Sequence, residues 1–471
     1  MLWGVSSRPN VLVLLADEWR ADTLACYGNA HVQAPHVNRF AEEACVFEQA
    51  YCNQAVCTPS RATIWTGVYP HTHQCIKNNE PLPTAWPTLA EMAPAEYHCA
   101  YYGKWHLGNE IVAQRGWKEW RSVEDGIYRP YYSDPTLFER CSDYHEFLIQ
   151  QGFAPDDRAE DGAAVFSRGF TAAMAAQYTK AGYLGREAEA FLRRQEKNAP
   201  WFLTVSFLEP HMPFWGPYND RHDPAGAPVG EAFNRDPEAT APRRLRERSA
   251  KYRAQGYDGM PLGNETQWRR MLANYHGLVS LIDEAMGRIL GALEETGQAE
   301  NTLVAVTSDH GDMMGDHACL AKDLEYEPSA RVPLLIRAPW EKSARRASGP
   351  VSLVDIAPTI LDYMGAPAPK HLQGVSRRGL VEQGGRSGDD VFIEWHGAHP
   401  YRVIVSPEGW KLTVAPDDRS TLFYLPEDPA ELRNRYAETE SRAVVRDLRA
   451  RLARWAERTG DAPEVAGWDG V

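Results

Sequence analysis

"NVLVLLAD", residues 10–17, is an unbroken apolar run that stops on an acid. Apolar side chains at every position, not at every second one, mark a strand covered on both faces, as in a parallel sheet. "WFLTVSFLEP" (201–210) and "NTLVAVTSDHGD" (301–312) have the same form. Helical periodicity lies between these runs. "HVNRFAEEACVF" (36–47) reads as a helix after the first run, and "REAEAFLRRQ" (186–195) as one before the second. In residues 277–297, Leu278, Leu281, Ile282, Ala285, Ile289 and Leu293 share one stripe, which Gly297 closes. Strands alternating with helices predict an α/β fold, a mostly parallel doubly wound sheet flanked by helices.

A chain of 471 residues exceeds what one core usually serves. The texture changes near residue 385, where short strands and turns precede a helix with Val445, Leu448, Leu452 and Trp455 on one face. The expected division is a large α/β domain over 1–385 and a small α+β domain with a short antiparallel sheet over 386–471. Residues 110–185 and 212–270 read as long irregular segments, a length that usually serves function. Their aromatic stretches 124–147 and 213–223 could stack on sugar rings, line an aryl pocket, or pack as insertions.

The formal net charge is −14 and no basic stripe is continuous, which argues against a nucleic-acid partner. The densest basic run, residues 242–253, alternates with acids and reads as a solvated helix face. Nothing approaches the ~20 apolar residues of a membrane span, and the run Val11–Leu15 is too short for a secretion signal. The eight cysteines (26, 45, 52, 57, 75, 99, 141, 319) show no CxxC, as expected of reduced thiols. A cytoplasmic location is expected.

In open α/β sheets ligands bind beyond the carboxyl ends of the strands. Asp17-Glu18, Glu209 with His211, and Asp309-His310 all stand at such ends. Either acidic pair alone reads as a cap or turn; two at equivalent ends point to a hard-metal site closed by an imidazole. In "YYGKWHLGN" (101–109), Lys104 and His106 would face one side if the chain is extended. His211 lies between prolines in "LEPHMPFWGPY" (208–218), where it could donate to a leaving oxygen. Lys322 precedes an apparent strand at 332–337, and Arg331 could pair with Glu327. Cys57, in "CTPSR" (57–61), is either a buried core thiol or a covalent nucleophile.

"CTPSR" resembles the sulfatase signature Cys-x-Pro-Ser-Arg, in which the cysteine is oxidised to formylglycine (3-oxoalanine) by a formylglycine-generating enzyme. The resemblance continues in order through "NVLVLLAD", "TGVYPHTH", "GKWHLG", "PHMPF", "SDHGDMMGDH", Lys322 and the small C-terminal domain. It implies an alkaline-phosphatase-like fold and hydrolysis of a sulfate monoester of a small molecule, a saccharide or an aryl alcohol. By the same resemblance, residue 57 would be hydrated to a gem-diol that attacks sulfur. Asp17, Glu18, Asp309, His310 and the modified Cys57 would hold a divalent metal. Arg61 would steady the modified residue and Lys104 would neutralise charge. His106 would take the second hydroxyl proton, and His211 and Lys322 would grip the sulfuryl group and assist the leaving alcohol.

Two positions depart from the common pattern. Glu18 stands where many relatives carry Asp or Gln, and His310 where some carry Asn. Calcium is the expected metal, with manganese as the alternative that an imidazole ligand admits. A phosphonate monoester or phosphodiester hydrolase is the alternative activity; the Lys104-x-His106 pair favours the sulfatase. A non-catalytic anion-binding protein with unmodified Cys57 is the reading from another class.

Overall fold

The computed structural model describes residues 8–124, 131–153, 174–196 and 199–461. A ten-stranded sheet forms the body. Its strands are β1 (Asn10–Asp17), β2 (Cys45–Tyr51), β3 (His98–Gly103), β4 (Glu119–Arg121), β5 (Trp201–Pro210), β6 (Thr302–Ser308), β7 (Arg331–Val332), β8 (Leu334–Arg337), β9 (Arg345–Ser352) and β10 (Gly385–Arg386). The order is β10-β9-β2-β8-β6-β1-β5-β3-β4, with β7 paired to β2. Central β1 runs parallel to both β5 and β6. Only β7 and β8 run antiparallel to their neighbours.

The run that fixes the fold is buried throughout, for the reason its composition gives. Successive side chains of a strand point to opposite faces. Val11, Val13 and Leu15 therefore enter one core with Ile64 and Trp65 of the helix Cys57–Thr66. Leu12, Leu14 and Ala16 enter another, with Leu184 and Phe191 of the helix Lys180–Arg193 and Leu278 and Ile282 of the helix Glu265–Glu295. Helices on both faces are what a doubly wound sheet requires.

Several expectations are corrected. The helix read over 36–47 ends at Ala41, and Cys45–Phe47 begin β2, because a buried β position takes the same apolar residues as a helix stripe. The helix read from 277 starts at Glu265, where Asn264 and Gln267 form a capping box. The strand read at 332–337 is broken by Pro333 into β7 and β8. Arg331 donates to the Glu48 carbonyl at 2.6 Å, with Glu327 the acid that acts on it most strongly. The basic run 242–253 lies within the helix Arg243–Gln255, but its face is only partly solvated. Arg244 is buried against Glu325 and Asp418, and Arg248 pairs with Asp323 at 2.7 Å.

A second sheet is antiparallel: β11 (Val391–Trp395), β12 (Tyr401–Val405), β13 (Trp410–Val414) and β14 (Thr421–Tyr424). One face carries the helix Arg442–Thr459, whose Leu448, Leu452 and Trp455 meet Phe392, Ile404 and Leu412. The other face presents Ile393, Val403 and Phe423 to the core of the large sheet. Among the described residues, no helix is long and apolar enough to cross a membrane.

Candidate active site

Because β1 and β6 are parallel with Ala16 opposite Ser308, both strands release the chain at one level, and Asp17 and Asp309 emerge side by side. Glu18 turns through a left-handed conformation (φ 63°) and its N–H donates to Asp309 Oδ1 at 3.1 Å. Cys57 opens the helix Cys57–Thr66, with Arg61 one turn on, and both are buried.

Arg61 organises the carboxylates. Its Nε donates to Asp309 Oδ2 and its Nη2 to Asp17 Oδ2, each at 2.8 Å. Nη1 bonds the Lys104 carbonyl at 2.7 Å and Ser206 Oγ at 2.8 Å. A planar fork can hold two carboxylates in one orientation; a lysine cannot. Arg61 thus bonds the acids beside Cys57. The other oxygens look the opposite way: Asp17 Oδ1 lies 3.7 Å from Cys57 Sγ, and Asp309 Oδ1 lies 3.7 Å from His310 Nε2. His310 Nε2 approaches Cys57 Sγ to 3.3 Å, while its Nδ1 stands 2.9 Å from the Gly311 carbonyl, which keeps that nitrogen protonated.

The remaining sequence-predicted residues converge on this spot. Lys104 Nζ sits 2.8 Å from Asp17 Oδ2 and 3.9 Å from Cys57 Sγ. Lys322 Nζ bonds Glu18 Oε2 at 2.8 Å, and His211 Nε2 lies 3.4 Å from the same oxygen. Lys104 and His106 do not reach the site from an extended strand. β3 ends at Gly103, and His106 adopts φ 60° in a turn whose N–H groups donate to Glu110. Glu209 points elsewhere, towards the Ala181 N–H.

Charge balance follows from this packing. Burial alone would raise the Asp17 carboxyl, but Lys104, His211 and Arg61 together hold it well below its ordinary range. Burial pushes Glu18 well above its range, against the pull of Lys322. Burial opposes charge on His310, yet Asp309 and Cys57 lift it to about 10. His106 is driven well below its usual value by burial, then by Lys104 and Arg61, so its neutral imidazole is a base.

Donors suited to a divalent cation are present. Asp17, Cys57, Asp309 and His310 offer ligand atoms all within 4.8 Å of one another, and Asp17, Glu18 and His211 form a second such group. Glu18 is buried beside Asp312, with which its side chain makes a hydrogen bond, and adds a further acid to the site. The anions that draw a proton onto His310 would equally draw a cation.

Sequence reasoning missed the residues that hold these groups. Asn79 Oδ1 lies 2.7 Å from His106 Nε2, and Thr58 Oγ1 donates to the His106 carbonyl at 2.9 Å while accepting from Asn79 N–H at 3.2 Å. Ser60 Oγ donates to the Asp309 carbonyl at 2.5 Å. Thr58 and Ser60, read as parts of a signature, are thus structural members of the site; contacts between remote segments leave no local sequence pattern. In the aromatic stretch 213–223, Phe214 is buried against Tyr257 and Tyr275, and Tyr218 bonds Glu284, so these rings pack as insertion. In the stretch 124–147, residues 125–130 lie outside the described residues.

Comparisons with known proteins agree with this geometry. A family model described as Sulfatase matches residues 9–366, and one described as N-sulphoglucosamine sulphohydrolase, C-terminal, matches residues 315–458. An arylsulfatase of Clostridium perfringens is 29% identical over 96% of this chain and 95% of its own. An N-acetylglucosamine-6-O-sulfatase of Bacteroides thetaiotaomicron is 25% identical over 85% of this chain and 75% of its own. The solved phosphonate monoester hydrolase of Agrobacterium radiobacter superposes with a TM-score of 0.76 at 26% identity, covering 96% of each chain.

Proposed function

The chain belongs to the sulfatase family and is a sulfuric ester hydrolase, and from that premise we propose that it works through a formylglycine made from Cys57 and one divalent cation, calcium, held by Asp17, Asp309, His310 and the modified residue. The observation that carries this reading is the convergence of Cys57 with two aspartates and His310 while Arg61 bridges both carboxylates from behind. Conversion of Cys57 replaces sulfur by oxygen and leaves the oxygen-rich donor set that calcium takes. Glu18 would complete that set or hold Lys322 and His211 in place. The conversion would depend on a formylglycine-generating enzyme in the same cell.

The modified side chain would supply the attacking oxygen, and the cation positive charge in a water-poor pocket. This chain's residues do the rest. Lys104, beside Cys57 and Asp17, offsets charge on the nucleophile and the sulfate. His106, neutral and with Nε2 held at Asn79 Oδ1, presents Nδ1 as the basic nitrogen that takes a proton from the modified residue. His211 and Lys322, both at Glu18 Oε2, hold the sulfuryl oxygens and deliver a proton to the departing alcohol.

A phosphonate monoester hydrolase is the second reading, supported by the fold shared with the Agrobacterium radiobacter enzyme. Turnover of 4-nitrophenyl sulfate against a phenyl phosphonate ester separates the two. Faster phosphonate turnover overturns the first reading, and hydrolysis retained by Cys57→Ala overturns the covalent one. A sulfated saccharide is the substrate class we favour, supported by likeness to the N-acetylglucosamine-6-O-sulfatase. Sulfate release from sulfated mono- and disaccharides, choline sulfate and aryl sulfates tests it. The cytoplasmic location we propose rests on eight cysteines without a CxxC spacing.

A further inference from the structure

Before conversion, residue 57 is a thiol, and the donor set at the site differs in kind: one sulfur, one imidazole nitrogen and two carboxylates. Four of their six separations lie near those of a tetrahedral site, and all six are within 4.8 Å. Bond lengths of about 2.0–2.3 Å to zinc place neighbouring donors about 3.3–3.6 Å apart. Here Cys57 Sγ is 3.3 Å from His310 Nε2 and 3.7 Å from Asp17 Oδ1, and His310 Nε2 is 3.7 Å from Asp309 Oδ1 and 4.0 Å from Asp17 Oδ1. Second contacts are already in place. The Gly311 carbonyl keeps the proton on His310 Nδ1, and Arg61 occupies the outer oxygen of each aspartate. With Cys57 as thiolate the donors carry three negative charges. A divalent cation with Arg61 and Lys104 beside it more than balances them.

We propose that the chain with unconverted Cys57 binds a thiophilic divalent cation, zinc in a cell, through Cys57 Sγ, Asp17, Asp309 and His310 Nε2, and that conversion of Cys57 abolishes this preference. The proposal rests on the reading of this site as the family's metal centre and adds a metal selectivity set by the state of one side chain. Thiolate and imidazole select borderline metals, whereas calcium takes oxygen. Binding displaces the proton on His310 Nε2 and, where Cys57 is still a thiol, the S–H proton; nitrogen–metal and sulfur–metal bonds form and the displaced protons pass to solvent.

The test uses the full chain made in cells lacking a formylglycine-generating enzyme, with the intact thiol verified by mass spectrometry of the peptide containing residue 57. After chelation and removal of the chelator, cobalt(II) is added as the probe. The expected result is a sulfur-to-cobalt charge-transfer band in the near ultraviolet with the intense visible bands of tetrahedral cobalt. Zinc displaces it stoichiometrically and raises the unfolding temperature, and equal calcium does neither. Cys57→Ser, shown folded by circular dichroism, loses the charge-transfer band and binds zinc more than about tenfold more weakly, with calcium binding within about twofold. Asp309→Asn, which keeps the sulfur, retains the band at weaker affinity. No band in the thiol protein, or calcium displacing cobalt as well as zinc does, overturns the proposal. Failure of the parent reading shows elsewhere, as absent sulfate ester turnover by protein carrying the converted residue.

Discussion

Arg61 carries more of this site than its place in a signature suggests. With no exposure, it bonds both Asp17 and Asp309 and the carbonyl of Lys104. Removing one partner of a buried charge network leaves the others uncompensated, so Arg61→Ala should cost about 3–5 kcal/mol. Urea denaturation measures this, and a loss under about 1 kcal/mol would refute it. Arg61→Lys should recover little, because an ammonium cannot span both carboxylates. Asn79 is a positioning residue, since it acts through His106. Asn79→Ala should lower kcat by about 10–100-fold with KM within about twofold, because it frees the imidazole tautomer. It should also displace the limb of the pH–kcat profile that reports His106. A purely structural role would change stability and leave that limb in place. Cys57, Asp309 and His310 were legible from residue type and order. Asn79, Thr58 and Ser60 were not, because their roles lie in contacts with segments up to 249 positions away.

Among elements, β1 is buried at every position. Its alternate side chains feed two cores, and its end delivers Asp17 and Glu18. Leu14→Ala should destabilise the chain by about 2–5 kcal/mol with an unchanged denaturant slope. Thermal and urea unfolding would show it, and a smaller effect would mean that the cavity collapses. The continuous apolar runs of β1, β5 and β6 were readable because burial on both faces leaves no polar position. β2, β3 and β9 were not, being short or interrupted by polar residues such as Glu48 and Ser348. Their place comes from pairing with strands remote in sequence.

For the entire chain, pH stability depends on imidazoles whose burial outweighs the pull of the acids near them, Glu394 for His73 and Asp22 for His276. Burial, then His222, holds His276 down to about 3, and burial likewise holds His73 down to about 3. A histidine unfolded titrates near 6.5, so the unfolded state takes up protons first as pH falls. The stability these groups contribute is complete above about 6.5 and is lost progressively towards about 3. Denaturation midpoints should fall from pH 7 to pH 4.5. His276→Gln should flatten the slope near pH 5 by about 1.4 kcal/mol per pH unit, one proton's worth. An unchanged slope would show that His276 is charged in the fold.

The chain order of apolar runs, acids at strand ends and the "CTPSR" stretch settled the fold class and the family, and named the residues proposed to react. These are properties of residue type and local spacing, which a strand buried on both faces and a short signature display directly. Folding alone settled which oxygen of each aspartate faces Arg61 and which faces Cys57, that His106 reaches the site from a turn, and that Glu18 sits with His211 and Lys322. Orientation and pairing depend on segments brought together from opposite ends of the chain, and desolvation sets the charges only once they meet.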